Sequence, residues 1–286
     1  MVSRARAALV LALASGGCAP AAVLDPAGPV AAHERLILLD SLGIMLAIVV
    51  PTILATLAFA WWYRAGNARA TYRPDWAYSG QLELLVWSVP ALVVIFVGGI
   101  AWVSSHDLDP ARPIAGAAPL DVQVVSLDWK WLFLYPGQNV ASVNRLVVPT
   151  GRPVRLTLTS ASVMNSFFVP RLGSQIYTMP GMATTLNLRA DAPGRYRGLS
   201  ANYSGKGFYG MQFAVDAVPA AQFDGWVGQA RQAQAVLDVP AYRALLGDGE
   251  RVAPATWRGV APGLFDAIVR NAGTAKARPA VDGRSQ

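Results

Sequence analysis

The chain has 286 residues, 53% of them hydrophobic and 14% charged, with a mean hydropathy of +0.35. That balance excludes an ordinary soluble chain and calls for membrane spans, with enough length beyond them for one domain of usual size. The net charge of +7 is read as contact with anionic lipid headgroups or acidic neighbouring subunits; nucleic acid is excluded, because no Lys/Arg run or stacking motif is present.

At the N-terminus, Arg4 and Arg6 precede a short apolar run, Ala7 to Ala14, then Ser15-Gly16-Gly17 and Cys18. A charged start, a brief apolar stretch and small residues before a cleavage point describe a secretory signal over residues 1–17. The run is too short for the ~20 residues that cross ~30 Å of hydrocarbon. A Cys directly after small residues is the pattern of a bacterial lipoprotein, with Cys18 acylated as the first mature residue. Ser15 stands where such signals usually carry Leu, and a plain signal peptide with an incidental Cys is the competing reading.

Residues 18–35 then form a periplasmic N-terminal segment. Two apolar segments follow, 36–62 and 82–103, each long enough to span a bilayer with some tilt. Asp40 and Glu83 are the carboxylates within them. Trp61, Trp62 and Tyr63 end the first span, and Trp87 and Trp102 bracket the second, as interfacial anchors do. Pro51 and Pro90 inside the spans are tolerated where neighbouring helices satisfy the freed carbonyls. The connection 63–81 carries Arg64, Arg69 and Arg73 against Asp75, so the positive-inside rule makes it cytoplasmic. Both chain ends, and everything after His106, are then expected in the periplasm of a bacterial inner membrane protein.

Residues 104–118 read as a Pro/Ala-rich linker. From 119 to 218 the pattern becomes short β-runs, Val122-Val125, Arg145-Val148, Val154-Thr159, Thr184-Leu188 and Gln212-Val215, separated by turn residues such as Pro180-Gly181. This spacing predicts an antiparallel sandwich or barrel. Residues 219–272 turn helical, with expected segments Ala221 to Leu237, Pro240 to Leu246 and Leu264 to Asn271, and the tail 273–286 is expected to be disordered.

Three stretches of the β-region are distinctive: Asp128-Trp129-Lys130-Trp131, Met164-Asn165-Ser166-Phe167-Phe168, and Ser200-Ala201-Asn202-Tyr203-Ser204-Gly205-Lys206-Gly207-Phe208-Tyr209-Gly210-Met211. Together they resemble subunit II of the haem–copper oxidases, a two-helix membrane anchor followed by a cupredoxin-like Greek-key barrel. The resemblance runs from the lipoprotein signal to Phe223-Asp224-Gly225-Trp226-Val227. Copper-bearing members hold a binuclear centre with two Cys, two His and a Met in the barrel. Laid on this sequence, those ligand positions become Asn165, Ser200, Ser204 and Phe208, and only Met211 persists. Thiolates and imidazoles are what select copper at such a site.

Composition makes the same point without any comparison. The chain's one cysteine is Cys18 and its two histidines are His33 and His106, so nothing after His106 supplies a thiolate or imidazole ligand. An internal disulfide is ruled out as well. Within the family, this loss is typical of the bo-type ubiquinol oxidases. From Leu120 to Val218, Asp121, Asp128, Asp191 and Asp216 face nine basic residues, a poor landing surface for a basic cytochrome c.

The resemblance implies a non-redox subunit of a proton-translocating ubiquinol:oxygen oxidoreductase, capping subunit I, which carries the haems and copper. It implies subunits I, III and IV and membrane lipid as partners, ubiquinol reached through subunit I, and no metal or other cofactor on this chain. Trp129 and Trp131 are expected to pack against subunit I, and Met211 to fill core. A Ser-His-acid triad at Ser200 or Ser204 is excluded because the domain has no His. Glu83, in Glu83-Leu84-Leu85-Val86-Trp87, resembles a family motif at the mouth of a proton-uptake channel; a water-exposed interfacial charge is its plainer reading. A membrane-anchored lipoprotein with a purely structural or assembly role is the alternative for the whole chain.

Overall fold

A computed structural model describes residues 23–272, apart from Tyr72 and Asp248. The signal segment, Cys18 with its expected acylation, and the tail 273–286 lie outside the described residues. The chain divides into two compact units, one of residues 33–109 and one of residues 110 onward together with the segment that precedes His33.

The first unit holds most of helix α1 (Pro29–Trp62) and all of helix α2 (Gly80–Asp107), both long and apolar enough to cross a membrane. Pro29 occupies the first helical turn of α1, where a missing N–H costs nothing and the fixed φ suits the helix. Thr52 and Thr56 return their hydroxyls to the carbonyls of Ile48 and Thr52, each at 2.8 Å, which settles these polar groups inside an apolar helix. Both helices run past the apolar segments read from the sequence. Hydropathy marks the length in contact with hydrocarbon, whereas Glu34, Arg35 and the stretch Ser104 to Asp107 extend the helices beyond it.

The second unit is a two-sheet β-domain. Its strands are β1 (Leu120–Leu127), β2 (Lys130–Tyr135), β3 (Val140–Val143), β4 (Arg145–Pro149), β5 (Val154–Ser160), β6 (Asn165–Phe168), β7 (Ile176–Thr178), β8 (Thr184–Leu188), β9 (Gly194–Ser200), β10 (Gln212–Val218) and β11 (Ala255–Trp257). One sheet has the order β11-β3-β2-β1-β5-β8 and the other β4-β10-β9-β6-β7. This is the expected cupredoxin-like architecture, with one correction. The pairs β1–β5 and β4–β10 are parallel, with Val124 opposite Leu158 and Val215 opposite Leu146. A strand's own periodicity records which face is buried and says nothing about the direction of its neighbour.

Between the sheets, Trp131, Phe133, Phe167 and Phe213 form an aromatic core. The Phe167 and Phe213 rings stack at 4.9 Å, and Trp131 meets the edge of Phe167 at 5.3 Å. Gly198 lies directly across the ladder from Phe213, and any side chain there would run into that ring. Tyr135 joins the two sheets: its hydroxyl donates to the Val147 carbonyl at 3.1 Å and accepts the Val147 N–H at 2.8 Å. Burial pushes the Tyr135 phenol up, so it stays a neutral donor and acceptor.

A second cluster covers the outer face of the six-stranded sheet. Val125, Leu127, Leu132, Leu134, Ala141 and Val143 pack beneath Leu237 and the apolar face of α5 (Leu264–Ala272). Strand β2 is therefore buried on both faces and lacks the alternation that would have marked it as a strand. Helices α3 (Ala220–Arg231) and α4 (Val239–Leu245) complete the C-terminal region. The helix expected to reach Leu237 ends at Arg231, because Leu237 is drawn into a bridge with Val260. The strand β11 lies between the second and third expected helical segments.

The segment before α1 is strapped to the barrel. The Ala27 N–H donates to the Arg171 carbonyl at 2.7 Å, the Asp191 N–H to the Ala27 carbonyl at 2.8 Å, and Arg171 pairs with Asp25 at 2.7 Å.

Candidate functional site at the end of the barrel

The three distinctive stretches of sequence converge at one end of the β-domain. Strand β6 begins at Asn165, β9 ends at Ser200, and the two strands pair antiparallel through Phe167 and Ser200. The chain then loops through residues 201–211, includes a 3-10 turn at Phe208–Gly210, and returns as β10. The Ser200 N–H donates to the Met211 carbonyl at 3.1 Å, which closes the loop at its base.

Of the five ligand-equivalent positions, Asn165, Ser200 and Met211 are buried, at 1%, 3% and 1% exposure. They are held together by ordinary hydrogen bonds. The Ser200 hydroxyl lies 3.2 Å from both Asn165 Oδ1 and the Asn202 carbonyl, and its single proton serves one at a time. Asn165 Nδ2 donates to the Val163 carbonyl at 3.2 Å, and the Ser204 hydroxyl points to Met211 Sδ at 3.8 Å. Phe208 turns its ring to the edge of Tyr203, with centroids 5.7 Å apart. Each side chain thus has a local partner.

These residues do not fit a copper ion. Two neutral hydroxyls, an amide and one thioether offer neither anionic charge nor an imidazole, and copper sites depend on both kinds of soft donor. The described residues contain no group of three or more His, Cys, Asp or Glu side chains close enough to hold a metal. No chemical step is routed through such a centre here.

Trp129 fastens the loop to the strand end. Its backbone sits at φ 62°, and its indole N–H donates to the Ser204 carbonyl at 3.1 Å. The ring lies flat against Gly207, where a Cβ would collide with it, and reaches to 3.5 Å from where a Cβ would stand on Gly205. Gly205 is itself at φ +104°, a conformation open to glycine at little cost. The sequence reading placed Trp129 and Trp131 together at a subunit interface. Trp131 corrects this: it is fully buried on Phe167 and Phe213 and reaches no surface. Trp131, Phe133 and Tyr135 alternate along β2 on its core face, whereas Trp129 lies before the strand, in the turn after β1.

Glu83 lies in the first turn of α2, where a carboxylate suits the helix dipole, and accepts a hydrogen bond from the Trp87 indole at 3.0 Å. Two groupings escaped the sequence reading. One is the strap from Asp25 to Ala27 described above. The other is Asp216, a half-sunken carboxylate gripped by Arg145 at 2.7 Å and Arg195 at 2.7 Å. Burial alone would raise the Asp216 carboxyl, but the hydrogen bonds from Arg195 and Arg145 outweigh it and hold the group below its ordinary value.

Comparison with known proteins agrees with this geometry. The family described as cytochrome c oxidase subunit II, periplasmic domain, matches residues 122–218, which contain every ligand-equivalent position. A cytochrome bo(3) ubiquinol oxidase subunit 2 from Pseudomonas aeruginosa is 46% identical over 91% of this chain and 79% of its own length. The chain belongs to the haem–copper oxidase subunit II family. A ubiquinol oxidase subunit 2 from Acetobacter aceti is also 46% identical, over 86% of this chain and 81% of its own, which puts the likeness on the quinol oxidase side of that family. The solved periplasmic domain of cytochrome oxidase subunit II from Bradyrhizobium japonicum is 25% identical, covering 42% of this chain and 98% of that one with a TM-score of 0.39.

Proposed function

We propose that this subunit serves a ubiquinol-oxidising, oxygen-reducing complex as scaffold, with its β-domain capping subunit I in the periplasm. The observation that carries the reading is that Asn165, Ser200, Ser204 and Phe208, which the resemblance sets at the thiolate and imidazole positions, each have their own local partners. A loop so completed has a structural use and no electron to pass. Haems and copper then reside in subunit I, which takes electrons from ubiquinol directly, and subunits III and IV complete the assembly. The names of the relatives, ubiquinol oxidase subunit 2 among them, support this donor.

In this reading Cys18 carries the lipid that tethers the N-terminus to the outer leaflet of the inner membrane, and mass spectrometry of the mature N-terminus tests it. Glu83 collects protons at the cytoplasmic end of α2 for delivery toward subunit I. Glu83→Gln should then slow quinol-driven turnover several-fold, on the order expected for loss of one ionisable relay group, with the complex still assembled. Unchanged turnover would leave Glu83 as an interfacial charge.

The deciding experiment is oxygen uptake by the complex purified through this chain. Ubiquinol should sustain it and reduced cytochrome c should not. The reverse preference would overturn the proposal, and recovery of the chain with no haem-bearing partner would leave it an assembly lipoprotein.

A further inference from the structure

The outer faces of the two sheets are treated differently. That of the six-stranded sheet lies under Leu237 and α5, but on the five-stranded sheet Arg195, Arg197 and Gln212 remain exposed. Together with Asn144, Gly210, Ala214 and the segment from Arg251 to Pro254, they line a groove of about 490 Å³. The groove is preformed. Asn144 Nδ2 donates to the Val252 carbonyl at 2.8 Å, Asn144 Oδ1 accepts the Trp131 N–H at 2.8 Å, and the Asn144 carbonyl accepts the Ala214 N–H at 3.0 Å. One residue, through its side chain and its backbone carbonyl, thereby ties the wall to the floor.

Its charge is unbalanced. Elsewhere in the barrel the arginines are matched: Arg155 with Asp121, Arg171 with Asp25, Arg189 with Asp191, and Arg152 with the carbonyls of Ala118 and Pro119. In the groove, Arg195 binds Asp216 but its side chain is 71% exposed and keeps donors to spare. The Arg251 guanidinium rests over the Tyr209 ring at 5.4 Å, and among the described residues its N–H groups make no hydrogen bond. Among the described residues the Arg197 guanidinium makes no hydrogen bond or ion pair. The nearby carboxylates are spoken for: Asp216 is bound by two arginines, and Glu250 accepts from the Tyr209 hydroxyl at 2.9 Å with Lys206 at 4.0 Å.

We propose that this groove docks an extended, acidic segment of a partner polypeptide. Spacing favours a peptide over a single phosphate. Arg195 and Arg197 alternate along β9 on one face, about 7 Å apart, and carboxylates at every second position of an extended chain repeat at the same interval. Guanidinium forks meet carboxylates two-pronged. Ala214 and Gly210 keep the floor low enough for a backbone to approach. The inference stands apart from the choice of electron donor and survives if that choice fails.

The test uses the full chain in detergent with a fluorescein-labelled peptide of alternating Glu and Ala. The double variant R197E/R251E should weaken binding about tenfold or more, as reversal of two interfacial charges does. The control R152E/R155E makes the same charge change on the other sheet and should stay within about twofold, with thermal melts confirming that both variants fold. Equal weakening by both variants would reduce the effect to net charge and overturn the proposal. So would R197E/R251E abolishing binding to phosphatidylglycerol vesicles, or to inorganic phosphate, while peptide affinity is unchanged; the groove would then be a phosphate or headgroup site.

Discussion

At Gly207 a hydrogen in place of a methyl group decides whether the Trp129 indole can lie on the loop of residues 201–211. Gly207→Ala must push the ring away or displace the loop, and should destabilise the domain by about 1–3 kcal/mol, the usual range for overpacking. Urea unfolding of the full chain in detergent measures it, and an unchanged midpoint would contradict the fastening role given to Trp129. The ligand-equivalent positions are legible in the sequence because they stand at fixed spacings in the family's pattern. What holds the loop is not. Trp129 and Gly207 are far apart in sequence, and no local rule pairs an indole with a distant glycine. Trp131 was misread for the converse reason, since a motif shows which residues travel together and not which of them face inward.

At the level of elements, the ties between sheets carry two further predictions. Tyr135→Phe removes both hydrogen bonds to Val147 in a fully buried setting and leaves the Val147 N–H unsatisfied. That should cost about 1–3 kcal/mol, read as a lower unfolding midpoint; a stability equal to the parent's would show that the joint is idle. Asp216 joins β10 to β4 and β9 through Arg145 and Arg195. Because the fold depresses its carboxyl, its stabilisation is present above the unfolded value of roughly 3.9 and is lost as pH falls through the lower folded value. Asp216→Asn should therefore flatten the acid limb of the stability profile and lower stability at neutral pH by about 1 kcal/mol, modest because Arg195 is largely exposed. An acid limb identical to the parent's would remove Asp216 from the account. None of these ties shows in local sequence, since Arg145 and Asp216 meet only through the parallel pairing of β4 with β10. The strands that alternate were readable; β2, buried on both sides, was recoverable only through the C-terminal cover that hides its outer face.

For the molecule as a whole, two apolar helices and a β-domain follow from composition, hydropathy and turn spacing, and the family follows from the relatives. What joins these to function is the chemistry of one loop. In the proposed reading Asn165, Ser200, Ser204 and Met211 satisfy one another in place of holding a metal, and the barrel rests on its aromatic core and its inter-sheet ties. Copper analysis of the full-length chain, purified in detergent free of other subunits after exposure to excess copper and gel filtration, bears on this most directly. The account predicts copper far below one ion per chain. One or two ions retained per chain, with an absorption band in the visible, would contradict it.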